Sequence, residues 1–86
     1  MSHRNQRTLE HLFQHPIAVN IKWSDIVRMF ESFGADVEEL HGVRERVKLN
    51  GVEETFRIPH GKTLNLKDEV MQIRHFLERA GVTPGK

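Results

Sequence analysis

The pair Asn50-Gly51 constrains this chain more than any other two residues, because it dictates a tight hairpin. A two-residue type I′ loop needs positive φ at both central positions, and Asn-Gly supplies them at low cost. With that loop, Leu49 faces Val52, Val47 faces Glu54, Glu45 faces Phe56 and Val43 faces Ile58. Side chains alternate along a strand, so most apolar residues gather on one face, with Glu45 and Glu54 among them. The other face carries Arg44, Arg46 and Lys48, opposite Arg57, Thr55 and Glu53. A sheet with one apolar and one exposed cationic face is suited to meeting an anion, and function is expected there.

The rest of the chain supplies helices to cover the apolar face. Residues 1 to about 7 are polar and expected to fray. Leu9, Leu12 and Phe13 share one side of a short helix from Thr8 to His15, with Thr8 as N-cap and Pro16 setting the end. Ile17 to Ile21 reads as an extended link. Trp23, Ile26, Val27, Phe30 and Phe33 recur at helical spacing over Lys22 to Phe33, and Gly34 stands where a left-handed C-cap belongs.

Asp36 to His41 is a weaker strand, with Val37 and Leu40 out of alternation, so an edge position or a bulge is expected. Pro59 to Leu64 reads as a loop. Asn65 then caps a last helix with Val70, Ile73, Phe76, Leu77 and Ala80 on one stripe and Gly81 as the stop. Thr83 to Lys86 is a tail, and residues 82–86 are expected to be flexible. The order α-α-β-β-β-α packs as two layers, a three-stranded sheet in order 1-2-3 under helices, the first helix covering an end of the core.

Eighty-six residues make one domain with a modest core. Thirteen basic and twelve acidic side chains nearly balance, so any affinity for nucleic acid must come from how charge is arranged. The absence of cysteine excludes a disulfide framework and thiolate metal sites. No apolar run approaches the roughly 20 residues that span a bilayer, and the first residues lack the apolar core of a signal peptide, so a cytoplasmic protein without membrane contact is expected. No histidine pair has both the spacing and the carboxylate neighbour of a zinc protease motif; neither metal nor other cofactor is expected.

From about Trp23 to Val82 the chain resembles the HicA (YcfA-like) toxins of bacterial toxin–antitoxin systems. The matching pieces are Phe33-Gly34-Ala35 at the helix end, the Gly42 turn into the hairpin, Arg57-Ile58-Pro59-His60-Gly61-Lys62, and the closing Ala80-Gly81-Val82. The resemblance implies an α+β fold like the double-stranded RNA-binding domain, α-β-β-β-α, here with one additional N-terminal helix. It further implies an RNA target, specifically mRNA that the toxin cleaves, and a HicB-like antitoxin that covers the active surface. A second copy of the chain is the remaining expected partner.

In that family Gly-Ser-His-His commonly follows the turn, and its histidine is regarded as catalytic. Here the stretch is Gly42-Val43-Arg44-Glu45, so Arg44 stands at the histidine position. Metal-independent RNA cleavage needs one group to take the 2′-hydroxyl proton and one to protonate the leaving oxygen, work that suits histidine. An arginine stays charged, so it clamps phosphate and stabilises developing charge but accepts no proton. Arg44, Arg46, Lys48, Arg57 and Lys62 are therefore the expected RNA-binding residues, with Lys67 extending the strip. His60 and His41 are the expected replacements for the proton-transfer role. The alternative is a catalytically inactive RNA- or protein-binding module of the same fold.

Overall fold

A computed structural model of the chain describes residues 3–17 and 20–84, with the side chains of His3, Arg4 and His60 outside that description. The elements in chain order are α1 (His3–Phe13), β1 (Ile21–Lys22), α2 (Trp23–Ser32), β2 (Asp36–Leu40), β3 (Arg44–Leu49), β4 (Val52–Arg57), a 3-10 turn (His60–Lys62), β5 (Thr63–Leu64) and α3 (Lys67–Arg79). The chain is a small α+β domain with two antiparallel sheets, one of order β2-β3-β4 and one formed by β1 and β5.

The central hairpin has the register that Asn50-Gly51 dictates. Leu49 pairs with Val52, Val47 with Glu54 and Glu45 with Phe56, and the loop residues have φ of 52° and 82°. Val47, Leu49 and Phe56 are buried on the helix-facing side. The two glutamates on that side are matched by groups on the helices that cross it. Glu45 accepts from the Trp23 indole N–H at 3.0 Å, and Glu54 takes the Arg79 guanidinium and, at 3.2 Å, the Gln72 amide. A half-buried carboxylate with such partners escapes most of its desolvation cost.

Helix ends follow the glycines. Gly34 and Gly81 have φ of 86° and 77°, and each closes a Schellman motif. Gly34 and Ala35 N–H groups donate to Glu31 and Phe30 carbonyls, and those of Gly81 and Val82 to Glu78 and Leu77. Rings from three elements join the layers: Phe56 of β4 lies 6.1 Å from Phe30 of α2 and 5.4 Å from Phe76 of α3. The first pair is stacked and the second edge-on, and such contacts add about 0.5–1.5 kcal/mol each beyond area burial.

Several expectations are corrected. The first helix begins at His3, inside the stretch expected to fray, and Thr8 is a buried residue of its interior rather than its N-cap. It ends at Phe13, three residues before Pro16, and packs against α2 and α3. Strand β2 takes the edge position expected of it and carries no bulge, since its pairing with β3 runs unbroken from Asp36↔Lys48 to Leu40↔Arg44. At the start of α3 the cap is the Glu69 carboxylate, which accepts from the Asn65 and Leu66 N–H groups, and not the Asn65 side chain. Val82, assigned to the flexible tail, packs against the core. Of the extended link, Ala18 and Val19 lie outside the described residues, as do Met1, Ser2, Gly85 and Lys86 of the ends. The loop from Pro59 contains β5, whose Thr63 and Leu64 pair with Lys22 and Ile21. Among the described residues no helix is long and apolar enough to cross a membrane.

Candidate nucleic-acid interface

Strand pairing sorts the cationic face into three rows. Lys48 stands between Asp36 of β2 and Glu53 of β4, a carboxylate on each side. Arg46 stands between Glu38 and Thr55, and its guanidinium donates to the Glu38 carboxylate. In the last row Leu40 of β2 is followed by Arg44 and then Arg57, two exposed guanidiniums directly opposite each other. Directly opposed side chains on an antiparallel pair have Cβ atoms about 5 Å apart, and like charges there repel. The positive charge without an opposing carboxylate therefore concentrates at the Arg44–Arg57 end, and an anion bound there relieves repulsion.

That end of the sheet opens into a cavity of about 540 Å3 between the β2–β3 turn and the segment after β4. Its walls include Val43, Ile58 and Pro59, together with Arg57, Lys62 and Glu69. The two segments are tied where the Ile58 N–H donates to the Val43 carbonyl at 2.9 Å. Gly61 and Lys62 both have positive φ, 76° and 59°, and the Lys62 N–H donates back to the Pro59 carbonyl. This tight turn, continued by the β5 pairing with β1, fixes where Lys62 leaves the backbone. Lys62, with Ile58 and Gly61, also borders a second cavity of about 630 Å3 beside Trp23, Glu39 and Glu45.

Both histidines fall at this same end. His41 is exposed in the β2–β3 turn with φ of 55°, two residues before Val43. His60 opens the 3-10 turn two residues after Ile58, and its side chain lies outside the described residues. The topology thus groups Arg44, Arg57, Lys62, His41 and His60 around one mouth. Arg46 and Lys48 point along the same face but lie beside carboxylates, and Lys67 opens α3 without lining the cavity. Glu45, next to Arg44 in sequence, is turned to the opposite face by strand alternation.

Two contributors were not anticipated from the sequence. Val43 is 56% exposed at the cavity wall, although hairpin alternation places it on the apolar side. Glu69 lines the cavity while holding the α3 cap, a double placement that the Asn65-Leu66-Lys67-Asp68-Glu69 spacing does suggest once Glu at N3 is read as half of a capping box. Among the described residues no group of three His, Asp or Glu side chains could hold a metal ion. Comparison with protein-family models, characterised proteins and solved structures returned no match.

Proposed function

We propose that this chain is a HicA-like, RNA-binding toxin domain that meets its target at the Arg44–Arg57 end of the sheet. One observation carries the reading: two guanidiniums lie opposite each other without an opposing carboxylate, beside a cavity that Lys62 also borders. Guanidinium pairs match phosphate oxygens in a bidentate way that ammonium groups cannot. The sequence pieces shared with HicA toxins and the β2-β3-β4 sheet flanked by α2 and α3 support a fold like the double-stranded RNA-binding domain. A HicB-like antitoxin is the expected partner, covering this cationic end.

Cleavage of mRNA would proceed by attack of the 2′-oxygen on the adjacent phosphorus, leaving a 2′,3′-cyclic phosphate and a free 5′-hydroxyl. In this reading Arg44 and Arg57 hold the phosphate and neutralise its developing charge, and His41 and His60 move the two protons. A second reading, an RNA-binding module that does not cut, is favoured by Arg44 standing where the family places its histidine. A fluorescent mRNA fragment, scored for binding by anisotropy and for cleavage on a gel, separates the two. Cleavage that disappears in His60→Ala or His41→Ala while binding persists supports the toxin. Binding without cleavage by the unmodified protein supports the module, and no binding overturns both.

A further inference from the structure

We propose that the cavity at the mouth of the sheet is a subsite for one unstacked ribonucleotide. Its base lies against Val43, Ile58 and Pro59, and its phosphate sits between Arg57 and Lys62 with Arg44 alongside. This rests on the RNA-binding reading and specifies which part of an RNA the domain holds.

Three observations lead there. The first is the extent of the unmatched charge. Lys48 is four residues from Arg44 along β3, about 13 Å at strand rise, and has a carboxylate on each side. Arg46, between them, is engaged by Glu38. The cations left free of opposing carboxylates on this face span one strand pair, enough for one or two phosphates. Domains that read double-stranded RNA contact two successive minor grooves over about 16 base pairs, which demands cations spread along the surface.

The second observation is the wall chemistry. A bare phosphate site needs no apolar wall, yet this cavity has three apolar residues beside its two cations. Val43 is one of only two large hydrophobic residues left exposed among the described residues. A nucleobase beside its own phosphate has that combination of an apolar face and an anionic end. The third observation is size. A cavity of about 540 Å3 falls within the range of roughly 300–1,000 Å3 typical of small-molecule sites, large enough for a single nucleotide. A base reaches such a cavity only when it is out of a helical stack, as in a single strand or a loop. The one carboxylate at the wall, Glu69, accepts from two backbone N–H groups at 3.2 and 3.3 Å, which offsets part of its repulsion toward the phosphate.

The test compares a 12-nucleotide single-stranded RNA with a 20-base-pair blunt RNA duplex by fluorescence anisotropy, at one salt concentration. The single strand is expected to bind at least tenfold more tightly. Val43→Asp and Arg57→Ala should each weaken single-strand binding at least fivefold, and Lys48→Ala less than twofold. Val43 is exposed, so its substitution is compatible with the fold; far-UV circular dichroism checks this. An amide NMR titration of the unmodified chain with a ribodinucleotide supplies a second readout, with shifts expected at Gly42 and Gly61. Duplex binding as tight as single-strand binding, an unchanged Val43→Asp variant, or shifts confined elsewhere overturns the subsite and leaves RNA binding standing. No affinity for either RNA removes the RNA-binding reading, and the subsite with it.

Discussion

Asn50 does two jobs, and a substitution series can weigh them separately. Its backbone holds φ of 52° in the β3–β4 loop, and its side-chain amide donates to the Ala80 carbonyl at the end of α3, 2.8 Å away. Asn50→Gly keeps the loop conformation and removes the hydrogen bond. The expected loss is about 1.5 kcal/mol, roughly 1 from the bond and the remainder from the freer unfolded chain. Asn50→Ala removes the bond and also forces a Cβ into left-handed backbone, raising the loss to about 2–3 kcal/mol.

Asn50→Asp tolerates the loop but sets a carboxylate against the negative end of a helix, for about 1.5–2 kcal/mol. That last deficit should shrink below about pH 4, where a protonated aspartate can donate to Ala80, when variant and parent are compared at each pH. Urea unfolding followed by tryptophan fluorescence measures the series through Trp23, and thermal midpoints should fall by roughly 4–8 °C per kcal/mol. An Asn50→Gly variant within about 0.3 kcal/mol of the parent, well under the usual worth of such a bond, would refute the link between turn and helix. Equal losses for Ala and Gly would refute the backbone argument.

Other outcomes follow from the charge and packing pattern. Glu38→Gln should release Arg46, raising RNA affinity two- to fivefold and steepening the salt dependence by about 0.7 in log–log slope. Its effect on stability should stay under about 1 kcal/mol because the pair is exposed. Arg74 is buried, lies over the Phe13 ring at 5.4 Å, donates to the Gln14 carbonyl at 3.4 Å, and has an Nε without a partner among the described residues. Arg74→Met should therefore be neutral or stabilising in urea unfolding, whereas Arg74→Ala should cost about 2–3 kcal/mol through the cavity it opens. Trp23→Phe removes the indole N–H that donates to the half-buried Glu45 and should cost about 1–2 kcal/mol, measured by thermal unfolding.

Local rules made much of the fold legible. Asn50-Gly51 set the β3–β4 register, Gly34 and Gly81 marked two helix ends, and the helical spacing of Ile26, Phe30, Val70, Ile73, Phe76 and Leu77 named residues that are buried. Each of these depends on neighbours in sequence, through φ preference or residue period. The β1–β5 pair escaped notice because two-residue strands carry no period to detect, and the start of α1 because its first turn is polar.

The candidate site was legible in part, for the same reason. The hairpin register put Arg44 opposite Arg57 from sequence alone, and that pairing is where the site now centres. What sequence could not decide was which cations would be matched. That depended on β2, an edge strand joined across the sheet, bringing Asp36 beside Lys48 and Glu38 beside Arg46 but Leu40 beside Arg44. Alternation on one hairpin fixes a face; charge balance on that face is set by the third strand's register. The sequence alone made one face cationic, and tertiary pairing confined its unmatched charge to the end where the Val43–Pro59 cavity opens.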